Sequence, residues 1–139
     1  MIGTGWRMNA FKILRARHLR VGALGERIAC RLLRAKGMEI LARNYKCPKG
    51  EIDIVAKDGG QLRFVEVKTR NYSPLAPGSR CWVTSVQAKR IMAAAEAYLD
   101  ELDNPKVVRR FDLVEIALGR FGAREVYHWR GNFGKAGRL

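Results

Sequence analysis

Asp58-Gly59-Gly60-Gln61 stands between two segments of alternating character, Glu51 to Lys57 and Leu62 to Thr69. Turn residues flanked by alternating apolar and polar positions predict a β-hairpin. With Gly59-Gly60 as a two-residue loop, Asp58 faces Gln61, Asp53 faces Glu66 and Glu51 faces Lys68. One face then carries Asp53, Val55, Phe64, Glu66 and Lys68. The other carries Ile52, Ile54, Val65 and Val67, is wholly apolar, and is the expected core side. A four-residue loop keeps this register. A three-residue loop pairs Asp53 with Val65 and mixes the faces, so the hydrophobic pattern opposes it.

Around the hairpin the chain divides into further elements. Residues 1 to about 17 read as a basic tail, and the pattern from His18 to Lys36 is helical. There Val21, Leu24, Ile28, Leu32 and Ala35 recur at spacings of three and four. Arg20, Arg27, Arg31 and Arg34 form a basic stripe, and Gly37 stands where a helix C-cap belongs. Met38 to Tyr45 is the weakest of the predicted strands. Arg70 to Val83, with Pro74 and Pro77, has no period and reads as a long loop. Thr84 and Gln87 make a capping box for a helix bearing Ile91, Ala94, Ala95, Tyr98, Leu99 and Leu102, which Asn104-Pro105 ends. Val107 to Leu118 and Ala123 to Trp129 are expected strands. Residues 131–139, rich in Gly and basic, read as a flexible tail, so the domain proper spans 18–130. The order α-β-β-β-α-β-β predicts an α/β sandwich, with a mixed sheet and a helix on each side.

The chain has 139 residues, enough for one domain with one core. Lys and Arg total 27 against 13 Asp and Glu, a net charge of +14. Such an excess favours a polyanionic partner, nucleic acid before an anionic membrane surface. No long apolar run predicts a membrane span. The cysteines Cys30, Cys47 and Cys81 form no C-x-x-C pair, which argues against zinc and against a disulfide framework and is simplest in the cytoplasm. The acid-free, Arg-containing start lacks the apolar run of a secretory signal. It resembles a transit peptide in composition, though a basic arm touching nucleic acid is the preferred expectation, and Met8 is an alternative start.

The chemistry lies on the charged face of the hairpin. Two carboxylates opposed across a strand pair repel, and a divalent cation offsets that repulsion. Mg²⁺ takes one or two carboxylates, keeps several waters and binds substrate phosphate, polarising it and acidifying a bound water. Lys68 projects to the same side, where it can orient the attacking water or stabilise developing charge. The plain alternative is a solvated strand face held by Glu51–Lys68 and by Glu66 with Arg63 or Arg70. Glu26 adds weight to the first reading. Its helical neighbours Gly22, Ala23, Ala29 and Cys30 include no base, so this acid has no local partner. If its face packs on the sheet, it needs a metal or a pair.

Asp53 followed by Glu66-Val67-Lys68, with the helical Glu26 before them, resembles the D-x(n)-E-x-K core of the PD-(D/E)XK nuclease superfamily. Gly50-Glu51-Ile52-Asp53-Ile54-Val55-Ala56 and Phe64-Val65-Glu66-Val67-Lys68-Thr69-Arg70 resemble the small bacterial YraN family of endonuclease-like proteins. Gly25-Glu26, Ala29, Arg43-Asn44, Lys89, Arg110-Phe111-Asp112 and His128 add to the likeness, which covers roughly residues 20 to 133. Ile52 stands where the superfamily's name has proline. The resemblance implies a restriction-endonuclease-like α-β-β-β-α-β core similar to archaeal Holliday-junction resolvases, which bind branched DNA as dimers. It implies that Asp53, Glu66 and the Val67 carbonyl hold Mg²⁺ or Mn²⁺. Lys68 would be the catalytic lysine and Glu26 an accessory acid.

Arg43, Arg70, Lys89 and Arg90 are the expected nucleic-acid contacts. Lys89 and Arg90 lie in the first turns of the Thr84-capped helix, where phosphate is favoured. Tyr72 and Trp82 can stack unpaired bases or, for Trp82, anchor in the core. His128 is a candidate general base, though a structural role is the default for it, as is an ion pair for Asp112 beside Arg109 and Arg110. The expected function is metal-dependent hydrolysis of DNA, favoured over RNA, on branched or single-stranded substrates. The alternative is a catalytically silent nucleic-acid-binding module on the same fold.

Overall fold

The computed structural model describes residues 2–76 and 81–133, with side chains given for all of these except 2–11 and 13–16. Along the chain run helix α1 (Ile2–Ala35), strands β1 (Glu39–Cys47), β2 (Gly50–Asp58) and β3 (Gln61–Asn71), helix α2 (Ser85–Glu101), and strands β4 (Val108–Gly119) and β5 (Gly122–Trp129). This is the expected order. The sheet order is β1-β2-β3-β4-β5. Only β3 and β4 are parallel, joined through α2, and the other neighbours are antiparallel. The mixed five-stranded sheet flanked by two helices is consistent with a restriction-endonuclease-like core. No helix among the described residues is long and apolar enough to cross a membrane.

The hairpin register is as expected near its turn: Asp58 faces Gln61 and Ile54 faces Val65. There the β2–β3 pairing ends. Asp53 does not form a ladder pair with Glu66, nor Glu51 with Lys68. Asn44 on β1 has φ 52°, in the left-handed region. Beyond it the face alternation shifts, so Ala42 and Tyr45 both pack toward α2. Ile52, the partner of Tyr45, follows it and is buried against α2, while Ile54 is buried against α1. The expected single apolar face of β2 is thus divided at Asp53.

Both faces of the sheet are covered. On one, Ala29, Cys30 and Leu33 of α1 pack with Ile54, Ala56, Val65, Val114 and Ile116. On the other, Ile91, Ala94, Ala95 and Leu99 of α2 pack with Ile52, Val55, Phe64 and Phe111. Val55 and Phe64, the apolar members of the charged hairpin face, are fully buried there. Burying a ring such as Phe64 contributes about 1.5–3 kcal/mol. The solvated-face alternative for the hairpin therefore fails at its turn end, and the carboxylates sit at the margin of a core.

Two boundaries differ from expectation. Helix α1 begins at Ile2 rather than at His18. No proline interrupts residues 2–35, and extending a helix from a packed nucleus costs little per residue. The segment after β5 is tied down at its start. Gly131 donates its N–H to Asp112 Oδ1 at 2.9 Å, and the Phe133 ring lies 5.6 Å from that of Phe111. The rest of the expected tail, 134–139, lies outside the described residues, as do 77–80 of the long loop.

Candidate active site

The site forms where β2 leaves β3. Released from pairing, Asp53 turns its carboxylate to β3 and accepts the Val67 N–H at 2.8 Å. That bond holds it beside the next residue back, Glu66, and the two carboxyl groups are within hydrogen-bonding reach of each other. Lys68 Nζ lies 3.6 Å from Glu66 Oε1. Burial, then the charges of Glu26 and Glu51, push the Asp53 carboxyl up to about 6, against the pull of the Val67 N–H. Burial and then the Asp53 charge push Glu66 up to about 7, with Lys68 opposing. A single ammonium therefore leaves two half-buried acids short of positive charge. That donor set suits a hard divalent cation, which takes one or two carboxylates and completes its shell with water and substrate oxygen. Among the described residues no three or more His, Cys, Asp or Glu side chains are grouped as metal ligands.

Glu26 reaches the site from α1, but not as an unpaired acid. Asn44 Nδ2 donates to its Oε2 at 3.0 Å and an Arg43 terminal nitrogen lies 3.9 Å away. The left-handed backbone at Asn44 accompanies this contact. Sequence spacing found no local partner because both partners lie on a strand. Glu26 raises Asp53 electrostatically. Its approach depends on Gly25, where a Cβ would overlap the Thr69 hydroxyl. The small side chains around Glu26 thus do serve close packing on the sheet.

Glu51, Glu66, Gln87, Arg90 and Ile91 line a cleft of about 140 Å³. A Cβ at Gly50 would meet the Arg90 carbonyl, so the first turns of α2 press against the start of β2. The Thr84–Gln87 capping box is present, with Gln87 N–H to Thr84 Oγ1 at 3.1 Å and Thr84 N–H to Gln87 Oε1 at 3.1 Å. Of the expected nucleic-acid contacts, Arg90 is exposed at this cleft and Arg43 is engaged with Glu26. Lys89 is exposed outside the cleft lining, and Arg70 lies further along β3. Val67, whose carbonyl the resemblance assigns to the metal, gives its N–H to Asp53 and packs its side chain toward α1.

His128 is away from this pair. Its side chain is buried, with Nε2 2.8 Å from Asp112 Oδ2 and Nδ1 2.7 Å from Lys36 Nζ. Asp112 also binds Arg63 at 3.1 Å. Asp112 does form an ion pair, but with Arg63 rather than Arg109 or Arg110, and it bonds His128. Trp82 is 66% exposed, which excludes core anchoring. Sequence reasoning missed Glu115, which is buried and accepts from the Cys81 N–H at 2.8 Å and Trp129 Nε1 at 2.9 Å. It pins the end of the long loop beside the row that holds Lys68. An acid within the apolar run Leu113 to Leu118 was the available signal.

Comparison with known proteins places these residues in a wider set. A family model described as "Uncharacterised protein family UPF0102" matches residues 25–116, from Gly25 through Glu115 and one residue beyond. A UPF0102 protein of Beutenbergia cavernae is 44% identical over 112 residues, covering 80% of this chain and 93% of its own. One from Parafrankia sp. is 44% identical over 114 residues, 82% and 96% of the two chains. One from Chlorobaculum tepidum is 47% identical over 97 residues, 69% and 74%.

Proposed function

Because the chain belongs to the UPF0102 family, the YraN group of nuclease-like proteins, whose names carry no activity, we propose a function from its site: divalent-metal-dependent endonucleolytic hydrolysis of DNA. One observation carries the reading. Two half-buried carboxylates from separating strands lie together beside an ammonium. Asp53 and Glu66 are the residues that would hold Mg²⁺ or Mn²⁺. Bound there, the cation supplies a polarised phosphoryl oxygen and a water acidified toward neutrality.

This chain's own groups have separate tasks. The Val67 N–H fixes the Asp53 rotamer, so the pair is preorganised. Lys68 balances part of the Glu66 charge and stands ready to orient a water or to stabilise negative charge on the phosphoryl group. Glu26, held by Asn44, adds negative field at Asp53 and favours a cation over a proton there only at pH above the raised carboxyl values. The net charge of +14 draws the polyanionic substrate in.

The test is cleavage of labelled duplex, flap, junction and single-stranded DNA, and of RNA of matching sequence, with Mg²⁺ or Mn²⁺. Metal-dependent cleavage lost in Asp53→Ala and Glu66→Ala is the expected result. Cleavage that persists in both variants removes these residues from the mechanism. A second reading, a catalytically silent binding module, is favoured by the pairing of Glu26 with Asn44 and Arg43, which leaves two acids in the group. It predicts salt-dependent DNA binding, undiminished in Asp53→Ala, without cleavage of any substrate.

A further inference from the structure

A groove of about 520 Å³ runs between α1 and the end of β3, outside the carboxylate pair. Arg17, His18 and Arg20 line one wall, and Thr69, Arg70 and Asn71 the other. No acid lines it. Arg17, His18 and Arg20 are exposed, and no described acid pairs with them. Arg70 lines the groove at the strand end but turns its guanidinium to Glu125 of β5, 3.6 Å away. Cations gathered without countercharge repel. A bound anion offsets that repulsion.

The groove lies beside the site along both α1 and β3. Helix α1 touches β3 where Gly25 meets Thr69. Gly25 adjoins Glu26, and Thr69 adjoins Lys68. N-terminal to that contact α1 continues past the strand end. From Glu26 back to Arg17 the helix covers about 13 Å at its usual rise. That is about four nucleotide steps of a strand.

We propose that this groove holds the sugar–phosphate backbone of the nucleic acid beside the reacting phosphodiester, with Arg17 and Arg20 as phosphate contacts. The place beside a reacting phosphodiester rests on the nuclease reading above, whereas backbone binding in the groove does not. Guanidinium forks match phosphate oxygens, and the Thr69 hydroxyl and Asn71 amide supply neutral donors. Such contacts position a strand without reading its sequence.

The test measures binding of labelled duplex and single-stranded oligonucleotides to the full chain in EDTA across a salt series. Arg17→Ala with Arg20→Ala is compared with Lys57→Ala with Lys106→Ala. The latter removes equal charge at exposed positions near the hairpin end. The groove variant is expected to bind at least about tenfold more weakly at about 0.15 M salt, with any sequence. Its duplex salt slope should shrink by about 2, since each lost phosphate contact removes about 0.9. The comparison variant should bind within about twofold of the parent. Equal losses in the two variants, or no loss in the groove variant, overturn the proposal. If the groove variant loses binding but the parent chain cleaves nothing, the nuclease reading falls and the groove stands. If the groove variant binds and cleaves like the parent and Asp53→Ala abolishes cleavage, the groove falls and the nuclease reading stands.

Discussion

The Asp53 carboxylate accepts the Val67 N–H at 2.8 Å, a side-chain bond formed just past the last β2–β3 ladder pair, Ile54 with Val65. The backbone donor that strand separation would leave free is thereby satisfied by the acid that separation releases. A carboxylate lying flat on a paired strand would face Glu66 at fixed cross-strand distance. Here Asp53 is turned and anchored, and the Glu66 carboxyl lies within its reach.

Asp53→Asn is expected to abolish metal-dependent cleavage while raising thermal stability in EDTA. The amide keeps an acceptor for Val67 and removes a charge that burial disfavours. A gain of about 2–4 °C, equivalent to about 1 kcal/mol for a chain of this size, is expected by thermal denaturation. A lower melting temperature than the parent's would show that the acid pair is not strained.

The same pair sets a pH dependence. Carboxyls held at about 6 and about 7 retain protons in the folded chain that the unfolded chain has lost. Their contribution is complete below the ordinary carboxylate values and declines as pH rises through about 6 to 7. In EDTA, stability attributable to this pair falls across that window. Mn²⁺ should reverse the trend, stabilising more at pH 8 than at pH 6 because protons compete for the ligands. At a hundredfold excess over Kd the gain is about 2.7 kcal/mol. Equal Mn²⁺ stabilisation at both pH values, or an undiminished gain in Asp53→Asn, would contradict the assignment.

Asn44→Ala frees Glu26 of its 3.0 Å hydrogen bond and removes a residue suited to left-handed backbone. Partners that orient metal-site acids are typically worth about 10–100-fold in activity. Both Asn44→Ala and Glu26→Gln should fall in that range in cleavage rate, without losing the fold. Unchanged rates in both would confine the machinery to Asp53, Glu66 and Lys68.

At Gly25→Ala the new methyl meets the Thr69 hydroxyl. Overpacking of this sort costs about 1–3 kcal/mol. Thr69→Gly should recover part of it, so the double variant is more stable than the two single effects predict. Additive losses by denaturant unfolding would mean that α1 and β3 do not meet there.

Asp112 is buried in an ion pair with Arg63 and in a hydrogen bond with His128. Burial alone would raise its carboxyl, but the hydrogen bonds from His128 and Gly131 and the Arg63 charge hold it below the ordinary value. Its contribution is therefore present above that ordinary value and lost as pH falls through the lower folded one. Asp112→Asn should cost about 3–5 kcal/mol at neutral pH, as for other broken buried pairs, and should flatten the acid limb of the stability curve. Cleavage per folded molecule should not change. A loss of rate without a loss of stability would place His128 and Asp112 in the chemistry.

Much of the architecture was legible because its signals are local. Gly59-Gly60 and the alternation on either side set the hairpin register that Asp58, Gln61, Ile54 and Val65 adopt. Thr84 and Gln87 announced the cap of α2, and Gly37 the end of α1, where its N–H reaches the Arg34 carbonyl at 2.9 Å. The start of α1 was not legible. A basic, weakly patterned segment gives no period to distinguish a tail from a helix extended from its packed end. The shift of face at Ile52 was hidden too, because it follows the backbone of Asn44 on a different strand.

Residue order alone determined which acids and which lysine share the hairpin, and which residues alternate toward a core, because strand periodicity and turn chemistry act over a few residues. Tertiary structure decided what those acids meet. The crossover that makes β3 and β4 parallel carries α2 over Val55 and Phe64, so the charged face gains a buried margin. Packing of α1 at Gly25 brings Glu26 to Asn44. Desolvation and charge at the site depend on which surfaces are brought together through space, and no window of neighbouring residues contains that information.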